Sequence, residues 1–120
     1  MAKNPTSIPK NIGASVRARL LNVAKQTNRD YNALLIQFAQ ERFLRRLSVS
    51  HYKNNFILKG ALLLLPYHLP TERPTKDIDF LGRSIENRLD SLKDLFQEIA
   101  SIQEDDGVVF APSTVTCERI

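Results

Sequence analysis

Cysteine is almost missing from this 120-residue chain: Cys117 is the only one. No internal disulfide can form, and a CxxC-type zinc site is excluded. A reducing, cytoplasmic setting is therefore the expectation. Histidine is nearly as scarce. His51 and His68 are the only two, too few for a His-rich metal site, and they read with Tyr67 and Cys117 as packing or surface residues. Long apolar runs are lacking as well. The longest, Ala61 to Leu65, is far below the roughly 20 residues that cross a bilayer. The polar, Pro-containing segment Met1 to Lys10 has no apolar stretch of the kind a signal peptide needs. Internal repeats and low-complexity tracts are absent. What remains is ordinary for a globular protein, with 42% hydrophobic and 25% charged residues. That excludes a disordered or collagen-like chain and fits one domain with at most a small appendage.

The net charge of +4 hides an asymmetry. Residues 1–60 hold eleven Lys+Arg against two Asp+Glu, a balance of +9. Residues 61–120 hold six against eleven, a balance of −5. A phosphate-attracting surface beside a cation-holding one is the functional reading, and two solvated faces of different sign is the plain one.

Residues 1–11 read as a flexible arm with Pro5 and Pro9. Residues 12–53 read as a helical region. Val16, Leu20 and Val23 recur at helical spacing and predict a helix from about Gly13 to Gln26. Asp30 is a plausible N-cap for a second helix running to about Leu47, with Tyr31, Leu34, Leu35, Phe38, Phe43 and Leu47 as its apolar stripe. Arg42, Arg45 and Arg46 share one face of its last turns. The helix dipole alone accounts for that placement, and a phosphate-contacting, nucleic-acid-binding patch is the sharper alternative. A third helix is expected from Ile85, capped by Ser84, to about Ile102. Its acidic residues Glu86, Asp90, Asp94 and Glu98 recur every four positions, as on a solvated face. Phe56–Lys59, residues 77–81 and Val108–Phe110 are the expected strands.

Two features carry chemistry. In Lys76-Asp77-Ile78-Asp79-Phe80-Leu81 the polar and apolar residues alternate. Residues i and i+2 of a strand project from one face, so Asp77 and Asp79 point together while Ile78 and Phe80 face the core. Two carboxylates so close repel unless a cation lies between them, and Mg²⁺ takes one or two carboxylates plus substrate phosphates. The other feature is Lys59-Gly60-Ala61 ahead of a short apolar helix. A glycine there lets phosphate approach the backbone, and the helix N-terminus offers free N–H groups. Separately, each has a plain reading: a surface strand whose acids meet Arg73, Lys76 or Arg83, and a simple helix entry. Together they form a device for moving a nucleotidyl or phosphoryl group. A metal-dependent glycosyltransferase would explain the Asp-x-Asp but not the Lys-Gly turn upstream.

The segment Phe56-Ile57-Leu58-Lys59-Gly60-Ala61-Leu62, followed by Arg73-Pro74-Thr75-Lys76-Asp77-Ile78-Asp79-Phe80-Leu81, resembles the AbiEii/AbiGii family of toxin-type nucleotidyltransferases within the DNA polymerase β-like superfamily. The resemblance spans roughly residues 6–120. It implies Mg²⁺-dependent transfer of a nucleotide from a nucleoside triphosphate (NTP) to an RNA, with tRNA the acceptor in studied relatives, or to a protein hydroxyl, in a toxin–antitoxin or abortive-infection system. It assigns metal binding and catalysis to Asp77 and Asp79. It assigns nucleotide binding to Lys59, Gly60, Ala61, Arg73, Thr75 and Lys76, and a separately encoded antitoxin as partner. Residues 54–120 would then be a partial nucleotidyltransferase core. Ala61 departs from the family's usual Ser or Gly, which removes a side-chain contact to phosphate. Family members are longer and carry a third carboxylate on a later strand, so the chain is expected to be truncated and to lack the group that activates the attacking hydroxyl. The alternative is an inert protein- or RNA-binding module that keeps the family fold.

The expected fold is α+β: an N-terminal helical pair plus a partial nucleotidyltransferase-like mixed β-sheet flanked by helices. An incomplete sheet leaves an open edge, so a homo-oligomer or a partner chain covering it is expected.

Overall fold

A computed structural model describes residues 11–59 and 77–119. The first helix, α1 (Ile12–Thr27), starts at Asn11, whose side chain accepts a hydrogen bond from the Ala14 amide at 2.9 Å. It ends at Asn28, which adopts the left-handed conformation (φ 54°) that a helix C-cap requires. Its inward face carries half-buried Val16 and Leu20 and buried Ala24, whereas Val23 turns outward. The second helix, α2 (Tyr31–Val49), begins at Asp30, whose carboxylate accepts from the Ala33 amide at 2.9 Å. Asp30→Ala removes this cap and is expected to lower stability by about 1 kcal/mol, read as a drop in the thermal midpoint.

Strand β1 (Phe56–Lys59) pairs antiparallel with β2 (Asp79–Gly82) in the register Phe56↔Gly82, Ile57↔Leu81, Leu58↔Phe80, Lys59↔Asp79. Among the described residues the sheet has these two strands. The third helix, α3 (Leu89–Ser101), starts later than the expected Ile85. Ser84 takes φ 57°, a left-handed turn incompatible with helix entry, yet Ile85 still reaches the core from outside the helix. The chain ends in irregular backbone around a 3₁₀ turn at Pro112–Thr114. The result is the expected α+β architecture, with the N-terminal helical pair in place.

The core gathers Leu47 of α2 with Leu95 and Ile99 of α3, packed by Phe43, Leu44, Tyr52, Phe56, Phe80, Ile85 and Phe96. Aromatic rings run through it in a chain. Phe80 meets Phe56 at 5.4 Å between centroids, Phe56 meets Phe96 at 5.6 Å, Phe96 meets Phe43 at 6.2 Å and Phe43 meets Phe110 at 5.6 Å. Edge-on and tilted pairs at such distances add to plain area burial. The inner face of the small sheet is thereby locked to α2 and α3, which leaves its outer face for the site.

Val108–Phe110, expected as a strand, pairs with no strand among the described residues. Its backbone groups are taken elsewhere: the Val108 N–H donates to Asp106 and its carbonyl accepts from Arg46. The turn before it abuts α1. Gly107 has φ 75°, and a Cβ there would come within 3.1 Å of the backbone of Ile12 and Gly13. At Gly13 a Cβ would meet its nearest neighbours at an ordinary 3.6 Å. We expect Gly107→Ala to cost about 1–2 kcal/mol through left-handed strain and crowding. Gly13→Ala, in the first turn of α1, is expected to gain about 0.4–1 kcal/mol by reducing the freedom of the unfolded chain. Urea denaturation of both variants measures this, and effects of the same sign would contradict the close approach.

Candidate functional site

The alternation of exposed and half-buried residues begins at Asp77, in a bend, and continues through Ile78, Asp79 and Phe80. Asp77 and Asp79 are exposed, and Phe80 packs its ring against Phe56 on the opposite face. Both residues are therefore exposed at the entry to β2, Asp79 as its first residue and Asp77 in the bend before it. The pairing Lys59↔Asp79 sets the C-terminal end of β1 beside Asp79. Gly60 follows Lys59 in the chain. The expected nucleotide-binding residues Gly60, Ala61, Arg73, Thr75 and Lys76, and the expected helix after Gly60, lie outside the described residues, as does the arm at residues 1–10. Lys59 enters only through its backbone.

Among the described residues no group of three or more His, Cys, Asp or Glu converges. A pair of exposed carboxylates, one at the start of β2 and one in the bend before it, offers hard oxygen donors and leaves further coordination positions for phosphate and water. That suits Mg²⁺ and does not suit a metal needing a closed protein cage. Asp77 and Asp79 could contribute such donors.

Of the arginines of α2, Arg46 does not face solvent as a phosphate-contacting patch would. Arg46 is 1% exposed and does not reach solvent. Its five N–H donors all find acceptors: Nε to the Ile102 carbonyl (2.9 Å), Nη1 to the Arg42 carbonyl (3.0 Å) and Asp106 Oδ2 (2.8 Å), and Nη2 to Asp106 Oδ1 (3.1 Å) and the Val108 carbonyl (2.9 Å). The guanidinium also lies over the Phe110 ring, 5.0 Å from its centroid. Asp106 is matched in turn. Oδ2 also accepts from Arg42 Nε at 2.7 Å, and Oδ1 from the Val108 amide at 3.0 Å. Burial pushes the Asp106 carboxyl up, but the hydrogen bonds from Arg46, Arg42 and Val108 and the Arg46 charge outweigh it and hold the group well below the usual carboxylate range. Arg45 pairs with Glu104 at 3.2 Å near the surface. The three arginines expected to face RNA are thus placed against the turn at residues 104–106, and Arg46 is a buried clamp between α2 and the C-terminal segment.

This clamp is what sequence reasoning missed. The signal was the charge asymmetry itself: basic residues of α2 and acidic residues of a distant turn, two halves of one internal network. The acidic residues of α3 region keep to the solvent as expected. Glu86, Asp90, Asp94 and Glu98 are exposed, with local partners such as Arg88 for Glu86 and Asp90 and the Tyr52 hydroxyl, which donates to Glu98 at 2.6 Å. No helix among the described residues is long and apolar enough to cross a membrane.

Comparison with known families matches residues 42–118 to the family described as "Nucleotidyl transferase AbiEii toxin, Type IV TA system". No curated protein and no solved structure matches the chain. The matched span is more than half of the chain and holds both strands, both candidate carboxylates and the whole Arg46–Asp106 clamp. The chain belongs to the AbiEii family of nucleotidyltransferase toxins of type IV toxin–antitoxin systems.

Proposed function

We propose that this chain transfers a nucleotide from an NTP to a hydroxyl of an RNA, with tRNA the foremost candidate, or of a protein. The observation that carries the reading is the exposed Asp77–Asp79 pair at the end of the sheet where β1 leads into Gly60. In the reaction the acceptor oxygen attacks the α-phosphorus, and a new O–P bond forms. The bond from the α-phosphorus to the bridging oxygen breaks, pyrophosphate leaves, and the hydroxyl proton passes to solvent. When bound, Mg²⁺ supplies charge neutralisation on the phosphates. Asp77 and Asp79 would hold it. Lys59, Gly60, Ala61, Arg73, Thr75 and Lys76 are proposed for the phosphates: Gly60 and Ala61 through backbone N–H groups, Lys59, Arg73 and Lys76 through charge.

The rigid inner face matters to this chemistry. In-line transfer needs its groups held within fractions of an ångström. The Phe80–Phe56–Phe96 contacts tie β2 to α3 and so fix the strand from which Asp79 projects. The test is incubation of the chain with Mg²⁺, α-phosphate-labelled NTPs and a tRNA pool or protein acceptors. Labelled acceptor that disappears on omission of Mg²⁺ supports the proposal. Label transfer unchanged by Asp77→Asn and Asp79→Asn together would overturn it.

A further inference from the structure

The outer face of the sheet carries more than the carboxylates. Ile57 and Leu81 form a cross-strand pair, and both are exposed, at 44% and 52%. Cross-strand partners lie on one face, and the face repeats every second residue. The Ile57↔Leu81 pair is therefore on the same side as Asp79, one two-residue step along the strand, about 6.6 Å from it. The core ring of Phe80 is on the other side.

We infer that Ile57 and Leu81 hold the nucleoside part of the nucleotide whose phosphates lie at Asp77 and Asp79. The inference rests on the nucleotidyl-transfer reading and adds a binding surface to it. A nucleotide is itself two-sided in this way: an anionic phosphate end, then, one ribose further on, a flat base with apolar faces. A sheet face with carboxylates for a metal-bound phosphate at one step and two aliphatic side chains at the next has the same order. Ligand sites combine apolar lining with a few placed polar groups, which is the composition here. The adjacency also decides between occupants. A second protein layer on this face would cover Asp79 along with the aliphatic pair, whereas a nucleotide uses both.

The test compares Mg²⁺-dependent binding of an NTP with that of inorganic tripolyphosphate, which has the phosphates and no nucleoside. It uses the whole chain, the double variant Ile57→Thr with Leu81→Thr, and Asp79→Asn. Threonine keeps strand propensity at exposed positions, and Leu81→Thr alone serves if the double variant melts early. The expected result is NTP binding about tenfold weaker in the threonine variants, tripolyphosphate binding unchanged, and both lost in Asp79→Asn. Tripolyphosphate binding that needs Asp79, with NTP affinity indifferent to the threonine changes, would overturn the nucleoside assignment and leave the transfer reading standing. A changed sedimentation coefficient in the threonine variants with unaltered NTP affinity would also overturn it, giving the face to a second copy. Absence of Mg²⁺-dependent binding of either ligand would remove the transfer reading and this inference with it.

Discussion

Asp106→Ala is expected to destabilise the chain by about 3–5 kcal/mol, the cost of leaving a buried charge without its partner. Arg46 has 1% of its surface exposed. Removing the carboxylate takes away two of its five acceptors and strips the Val108 amide and Arg42 of theirs. A small domain holds about 5–15 kcal/mol in total, so the variant is expected to be largely unfolded at 37 °C. Arg46→Lys should also fail to restore the network, because an ammonium has three donors and no planar fork. Chemical denaturation monitored by circular dichroism measures both. A loss of under 1 kcal/mol in Asp106→Ala would show that the clamp contributes little.

The same network sets a pH dependence. The folded-state pKa of Asp106 is depressed, so its contribution is fully present above the unfolded value near 4 and is lost as pH falls below that toward the folded value. Stability between pH 4 and pH 2 should therefore fall more steeply in the native chain than in Asp106→Asn, which has no carboxylate to protonate.

The second large effect concerns activity. Asp79→Asn is expected to lower the rate of nucleotide transfer by about a thousandfold, since charge stabilisation by a bound metal is worth several kcal/mol and each 1.36 kcal/mol is tenfold. Asparagine keeps the shape and loses the anionic oxygen. Asp79 is exposed, on the side of the strand away from the core, so the thermal midpoint should move little. That separates it from Asp106→Ala, where loss of activity would follow loss of fold. Asp77→Asn should act in the same direction, and the double variant should lose little beyond the single ones, because either change dismantles the same metal site.

Much of this architecture can be read from the residues. Asp30 announces α2, and the spacing of Leu34 and Leu47 marks its buried face. The alternation from Asp77 to Phe80 fixes which side of β2 meets the core. Where reading and structure part, tertiary contacts override a correct local pattern. The helix expected from Ile85 starts at Leu89, after a left-handed turn at Ser84. Val108, Val109 and Phe110 do alternate, with Val109 at 93% exposure, yet Asp106 and Arg46 take the backbone groups a ladder would have used. Arg42 and Arg46 share a helix face with Arg45, and nothing within α2 shows that a turn some sixty residues on brings Asp106 to meet them. The exposure of Asp77 and Asp79 was legible because the alternation that sets it is local in sequence. The clamp was not, because it exists only once the chain has closed on itself.

The most direct check of the account is to put Mn²⁺ in place of Mg²⁺ and record which backbone amides broaden by paramagnetic relaxation in the presence of an NTP. The account predicts that broadening centres on residues 77–80 of β2 and reaches across to the end of β1 at Lys59. Broadening centred on the acidic face of α3, at Glu86 to Glu98, with Asp79 untouched, would contradict it.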